Sequence, residues 1–238
     1  MSKSWQYRPL LRPAQVVTAG LALCIVVNLA ALAVEIDYHA VLQDLDSGVD
    51  VAVAEVTAGE DWTSMAALAQ FVAFLATAIA FIVWFRRAYR NTAGLGATGM
   101  RYKPGWSIGA WFVPILTLFR PKQITNDIWR ASDPELPRRA NGWQGNHVDG
   151  LIHWWWAIWI VATILGNVSA RVYFGAETLS EQLGASSVAI VADVVFMVAA
   201  VLAILVVHAI TIRQEEREEM LAARETPVPP EPHTLLPA

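Results

Sequence analysis

Four long apolar runs decide what this chain can fold into. They are Ala14–Val34, Met65–Phe85, Leu151–Ala170 and Val188–Ile210. Each matches the roughly 20 residues a helix needs to cross the hydrocarbon core of a bilayer. Lipid offers no partner for exposed N–H and C=O groups, so each run must be helical there. Only 16% of the 238 residues are charged, against about 25% in soluble domains. The expected fold class is all-α integral membrane: four transmembrane helices plus a short re-entrant or interfacial helix pair between helices 2 and 3.

Orientation follows from the Lys and Arg census. Residues 1–13 carry Lys3, Arg8 and Arg12. The connection from Glu35 to Ser64 carries no Lys or Arg, but eight acidic residues: Glu35, Asp37, Asp44, Asp46, Asp50, Glu55, Glu60 and Asp61. The middle connection carries Arg86, Arg87, Arg90, Arg101, Lys103, Arg120, Lys122, Arg130, Arg138 and Arg139. Arg171 stands alone at the third connection, and Arg213, Arg217 and Arg224 lie in the tail. Every basic residue except Arg171 falls on one side, which should be the cytoplasm. Both termini are then cytoplasmic. The preference for Arg over Lys, with heavy Ala and Val usage, points to a GC-rich bacterial genome and so to a bacterial cytoplasmic membrane.

The expected organisation is a cytoplasmic segment 1–13, a four-span membrane domain 14–212, and a charged, Pro-rich tail 213–238. In the tail, Arg213–Ala223 reads as a solvated extension of the last helix, and the prolines beyond Met220 read as disordered. A cleaved signal peptide ending at Ala31-Leu32-Ala33 is an alternative, although the first run exceeds the usual signal core of about 7–15 residues. Cys24 is the sole cysteine and sits in an apolar run. That excludes an intrachain disulfide and a CxxC redox pair, and leaves a small buried hydrophobe.

The middle connection is the informative part. Trp106–Phe119 is apolar but too short to cross the bilayer, and basic residues flank both of its ends. A helix that dips and returns fits, and so does a helix in the interface with Trp106 and Trp111 at headgroup level. A fifth crossing would put Arg130–Arg139 outside, against the charge rule. A second short helix is expected to start at Pro121, since proline suits the first helical position. Its apolar stripe is Ile124, Ile128 and Trp129, with Lys122, Asp127 and Arg130 on other faces. The two short helices span about 105–131.

The motif positions run in order: Trp84, Arg87, Ala88 and Asn91; Leu95-Gly96; Pro104-Gly105-Trp106; Gly109; Trp111-Phe112 and Pro114; Arg120-Pro121; Trp129-Arg130-Ala131-Ser132. This run resembles the bacterial membrane family of domain of unknown function (DUF) 4328, over roughly Met65 to the fourth span. Thr117 and Lys122 depart from the family pattern, which commonly has Asn and an aromatic there. The resemblance implies a multi-span membrane protein and brings no activity with it. On a helix Trp84, Arg87 and Asn91 share one face. Trp84 should sit at the interface, Arg87 at phosphate level, and Asn91 at the backbone of the neighbouring short helix. Such a face could pin the dipping helix, hold a lipid phosphate or phosphorylated ligand through Arg87, Arg120 or Arg130, or dock a protein.

Ionisable groups inside spans call for a functional hypothesis. Asp193 and Arg171 are expected to form an intramembrane polar pair, with proton or cation coupling through Asp193 as the sharper alternative. Asn28, Gln70, Thr77 and Asn167 read as hydrogen-bonding glue between helices, and Ala162, Gly166 and Ala170 as a close-packing stripe. His153-Trp154-Trp155-Trp156, with Trp159, reads as an aromatic belt or a cage for a cationic ligand. His153 and His208 lack a third ligand for zinc. Asp44, Asp46, Ser47, Gly48 and Asp50 miss the spacing of a calcium loop and read as an acidic, solvated loop. Neither HExxH nor GxxxxGK[ST] occurs in the sequence. Residues 94–99 spell GxGxxG and residues 105–109 spell GxSxG, but neither lies at a strand-to-helix turn, the context that gives those patterns their chemistry.

No catalytic residue, cofactor or metal is therefore expected. A net charge of −4 gives no reason to expect nucleic-acid binding. The expected partners are the bilayer and either an anionic lipid or a membrane or cytoplasmic protein. The leading reading is a non-catalytic membrane component acting through its Trp/Pro/Arg loop. A small transporter or channel-like component using Asp193 is the alternative, and a membrane enzyme of unrecognised type the third. Oligomeric state is not encoded in any pattern here.

Overall fold

The computed structural model describes residues 6–136 and 142–225. Lys3, Arg138, Arg139 and the Pro-rich stretch beyond Glu225 lie outside the described residues. The helices are α1 (Leu11–Asp46), α2 (Val53–Gly94), α3 (Trp106–Gly109), α4 (Arg120–Ala131), α5 (Gly150–Gly175) and α6 (Leu179–Glu225). No strand occurs among the described residues. Four of these helices, α1, α2, α5 and α6, are long and apolar enough to cross a membrane.

The four long helices form an up-down-up-down bundle. Helix α1 packs along both α2 and α6, and α5 packs along α6. Between α2 and α5 the gap is bridged by large rings, Phe74 on Trp159 and Phe81 near Trp155, each with ring centres 6.3 Å apart. The inside is built largely from small residues such as Ala31, Ala73, Ala162, Ala199, Ala200 and Ala203. The outside carries large ones: Leu23, Val26, Phe71 and Ile79 are all more than half exposed. Small residues let helix backbones approach, and lipid tails solvate the large ones. A soluble protein would expose no such continuous apolar surface.

The helices outrun the apolar runs. Helix α1 has 36 residues, about 54 Å at a rise of about 1.5 Å per residue. The hydrocarbon core is only about 30 Å thick. The acidic stretch 35–64 is thus not a loop. It is the end of α1 and the start of α2, joined by a turn at residues 47–52. Asp44 to Val49 end α1 in a Schellman cap. Gly48, at φ 82°, donates to Leu45 O, and Val49 donates to Asp44 O at 3.0 Å. The pattern that faintly suggested calcium is this helix terminus. Hydropathy reports what lipid requires, whereas capping residues decide where a helix stops.

Two further expectations change. In the tail, Gln214 and Arg217 are fully buried and Leu221 nearly so, so this extension is packed on one face rather than solvated. In the α5 stripe, Ala162 is buried, but Gly166 and Ala170 are exposed, and Asn167 bonds only the carbonyl of Thr163 on its own helix. The close approach lies elsewhere, between α1 and α2. A Cβ on Gly20 would stand 2.7 Å from Thr77 Oγ1 and 3.1 Å from its Cγ2.

Gly20→Ala should therefore destabilise the bundle by about 1–3 kcal/mol through overpacking. Adding Thr77→Ala should recover most of that loss. Thermal unfolding of the purified protein in detergent reads both effects, and an unchanged midpoint in Gly20→Ala would refute the contact.

Candidate functional site

The motif residues gather at the basic end of the bundle, where α2 and α6 run on past their apolar runs. Trp84, Arg87 and Asn91 do share a face. That face meets the segment before α1 on one side and α6 on the other. Trp84 is 1% exposed, and its Nε1 donates to Thr211 Oγ1 on α6 at 3.2 Å. Arg87 donates to Pro9 O at 3.3 Å. The Asn91 carboxamide is fully engaged. Its Oδ1 accepts from Arg8 N at 3.1 Å, and its Nδ2 donates to Arg8 O at 2.8 Å and to Gln214 Oε1 at 3.1 Å. Trp84 is thus a core residue rather than an interfacial one, and Asn91 holds the N-terminal segment rather than a short helix. The continued α6 supplies the partners that the sequence reading lacked.

The end of α2 explains Leu95-Gly96. Gly96, at φ 85°, donates to Ala93 O, and Ala97 donates to Thr92 O at 2.9 Å, a second Schellman cap. From there the chain leads to Pro104, whose carbonyl accepts from Ser107 Oγ at 2.7 Å. Gly105 has an ordinary φ of −63° and open space where a Cβ would go, so nothing in the structure explains a glycine there.

The segment from Trp106 to Arg120 leaves and returns to one place. At its base the Arg120 guanidinium lies 4.1 Å from the centre of the Trp106 ring and 5.1 Å from that of Tyr102. Such cation–π contacts contribute about 1 kcal/mol each at half-exposed sites. Along its length Trp111 stands edge-on to Phe81 and Phe85, at 5.5 and 5.7 Å. It also contacts Trp156 of α5 at 6.1 Å. At its tip, Leu116 N donates to Pro114 O at 2.7 Å across Ile115, which holds φ 66° and ψ −49°. This is a γ-turn of the rare positive-φ kind, strained for a β-branched residue. Around it Phe112 and Ile115 are about 70% exposed, and Leu118 and Phe119 also face outward. No single helix forms; α3 has four residues, and a short 3₁₀ turn spans Leu116–Leu118.

Helix α4 starts at Arg120-Pro121 as expected, and Ile124 and Ile128 are fully buried. Trp129 carries Arg213 of α6 on its face at 4.5 Å, and Arg213 also pairs with Asp133 at 3.1 Å. Arg130 donates to Asn146 O at 2.8 Å. Asp127, expected on a polar face, is instead 1% exposed. Burial raises its pKa, while Arg101, at 3.6 Å, and Arg130 pull it down. Lys122, pushed by burial to about 8, lies 3.0 Å from His153 Nδ1. Of the expected aromatic belt, Trp155 and Trp156 are buried in the core and only Trp154 is strongly exposed.

Two residues that the motif reading missed organise this end. Gln214 donates to Ala88 O and to Ser132 Oγ, both at 2.9 Å. Arg217 donates to Leu95 O at 2.9 Å, to Leu136 O at 3.1 Å and to Asp133 O. The signal was present: 214, 217 and 221 are spaced as one helix face. It was masked because Glu and Arg dominate the surrounding sequence.

The Asp193–Arg171 pair does not form. Helix α6 begins nine residues before the fourth apolar run, so Asp193 lies about 21 Å from its start, whereas Arg171 lies about 6 Å from the end of α5. The depths do not match. Asp193 accepts instead from Gln70 Nε2 at 2.9 Å, and Gln70 also donates to Asn28 Oδ1 at 3.0 Å. Asn28 in turn bonds Cys24 O at 2.7 Å. This cluster joins α1, α2 and α6 deep in the bundle. Thr77, bonded to Ala73 O at 2.8 Å, also meets the Cys24 thiol at 3.4 Å, so Cys24 is buried but not purely apolar in its contacts.

Among known proteins, the family model described as "Domain of unknown function (DUF4328)" matches residues 47–212. That is more than half of the chain, and it covers α2 through most of α6. No curated protein and no solved structure matches.

Arg217 is the residue whose loss should be felt most at this end. Arg217→Ala would leave three carbonyls without their charged donor, at about 1.5–3 kcal/mol for each such bond, with partial recovery by water. Arg217→Lys should rescue little, because a point ammonium cannot reach three carbonyls from one fork. Unfolding curves of both variants in detergent check this. Wild-type stability in either would overturn the assignment.

Proposed function

The chain belongs to the family described as domain of unknown function DUF4328, and we propose that it is a non-catalytic multi-pass membrane component. In this reading the segment 104–121 is re-entrant, dips into the cytoplasmic leaflet and holds anionic lipid headgroups at its rim. The observation that carries the proposal is the loop's geometry. Its two ends are clasped by Arg120 on Trp106, while Trp111 reaches Phe81 and Phe85 within the second apolar run. Phe112, Ile115 and Leu118 point outward at that level, where only hydrocarbon would solvate them. Around the rim Arg8, Arg12, Arg86 and Lys103 keep exposed side chains, suited to headgroup phosphates. The concentration of basic residues at this end supports a cytoplasmic location for it and for both termini.

Cysteine labelling tests the insertion. In a Cys24→Ala background, Ile115→Cys in lipid vesicles should resist a membrane-impermeant maleimide, and Lys103→Cys should react. Removing the lipid with detergent should expose Ile115→Cys. The lipid arm compares phosphatidylglycerol retained through purification, which should fall when Arg86 and Lys103 are both replaced by Glu. Rapid labelling of Ile115→Cys in vesicles, or unchanged retention, would count against the proposal.

A small transporter is the second reading. It is favoured by the Asp193–Gln70–Asn28 cluster, since a carboxylate deep among spanning helices is costly unless used or neutralised. It predicts proton- or cation-dependent flux in reconstituted vesicles that Asp193→Asn abolishes. Flux that is absent, or untouched by the substitution, would remove this reading.

A further inference from the structure

We propose that the acidic end of the bundle holds a binding site for a small organic cation carrying an ammonium group. It lies at the opposite end from the lipid-facing loop and does not depend on that reading. A cavity of about 320 Å³ opens there between all four long helices. Its walls include Glu35 and Tyr38 from α1, Glu60 and Asp61 from α2, Tyr173 from α5 and Ser186 from α6. No Lys, Arg or His is among the described residues that line it.

The acidic character alone would say little, because carboxylates at a helix-hairpin tip are ordinarily solvated. Glu35 is different. It is 9% exposed; Ser186 hydrogen-bonds its carboxylate, but its Oε1 is buried with no hydrogen-bond partner. A buried carboxylate oxygen left unpaired is unfavourable, so a donor brought by an occupant of the adjoining cavity would stabilise it. The neighbouring His39 does not fill that role. Its Nδ1 lies 3.1 Å from Ser186 Oγ, and its Nε2 lies 3.1 Å from Gln43 Nε2. Both ring nitrogens are therefore engaged away from the Glu35 carboxylate. Arg171, the basic residue of this end, is exposed and is not among the lining residues.

The chemistry of the walls selects among cations. A divalent metal needs several ligands converging on one point. Among the described residues no group of three or more His, Cys, Asp or Glu is close enough to hold one. The carboxylates are spread around the cavity, and two tyrosine rings, Tyr38 and Tyr173, complete it. Dispersed carboxylates and aromatic faces suit an ammonium group on a small organic body, which gains hydrogen bonds from the first and cation–π attraction from the second. The volume falls at the lower end of that typical of small-molecule pockets, about 300–1,000 Å³. Tyr38 is held in place by Gly59, where an added Cβ would come within 2.4 Å of its ring, so this wall is preformed.

The test uses the full chain purified in detergent, titrated at constant ionic strength with putrescine, choline, calcium or magnesium. Calorimetry and thermal unfolding are the readouts. At least one ammonium compound should bind saturably and raise the unfolding midpoint, and do so more tightly than either metal. Glu35→Gln should weaken that binding at least about tenfold, the loss of one charged hydrogen bond. Tyr173→Leu should weaken it less. Glu55→Gln, on α2 but outside the cavity, should leave it unchanged. The exposed pair Glu60→Gln and Asp61→Asn gives the same reading should Glu35→Gln not fold. Absence of saturable ammonium binding at millimolar concentrations, equal binding by Glu35→Gln, or tighter binding of calcium or magnesium overturns the proposal.

Discussion

The basic end of this protein hangs on two side-chain amides that satisfy each other completely. Asn91 of α2 spends its oxygen and both N–H groups on the backbone of Arg8 and on Gln214. Gln214 of α6 spends its own two N–H groups on Ala88 and Ser132. Four pieces of chain are fixed by this closed network: the lead into α1, the end of α2, the end of α4 and the continuation of α6. A buried polar network fixes structure only when every member is paired, since a partly paired one is worse than an apolar core. This one is paired throughout, and Arg217, three residues along α6, extends the arrangement to the carbonyls of Leu95 and Leu136. The Trp106–Arg120 excursion can then be short and irregular, because the elements on either side of it are already fixed.

Within the bundle the balance of forces is different. Lipid tails are as apolar as the side chains, so burying large residues between helices gains little there. What remains is close packing and polar contact. The Gly20–Thr77 approach supplies the first, and the Asn28–Gln70–Asp193 cluster the second. Helix α1 takes part in both and packs against both α2 and α6. It is the central strut of the bundle, although the family match begins at Ser47, just beyond its end.

The amino-acid pattern announced the four membrane helices and the place of the irregular segment, because lipid imposes a length and an apolarity that few other constraints imitate. It also announced the shared face of Trp84, Arg87 and Asn91 and the start of α4 at Pro121, since both rest on local geometry. It did not reveal where the long helices end. Their extensions beyond the apolar runs are set by caps at Ser47-Gly48 and Leu95-Gly96, which a hydropathy reading passes over. The error then propagated. With α6 taken to begin at Val188, Asp193 fell near the outer surface and beside Arg171; with α6 beginning at Leu179, it falls deep and meets Gln70. Gln214 and Arg217 were hidden for a related reason. A charged tail reads as solvated until another element covers one of its faces, and α2 and α4 do so here.

The two ends of the bundle carry opposite charge and use it differently. At the basic end the buried amides and Arg217 find partners within the chain, and Trp84 finds Thr211. Amides so matched hold a shape and have no capacity left for a ligand, although the same end also buries Trp111 Nε1, Trp155 Nε1, Arg120 Nε and the Asp127 carboxylate oxygens without a hydrogen-bond partner. At the acidic end the carboxylates of Glu35, Glu60 and Asp61 line a cavity with no basic residue among the described residues of its walls, and Glu35 keeps an unpaired oxygen. An unpartnered carboxylate oxygen beside an open cavity is the observation on which the proposed ammonium site rests.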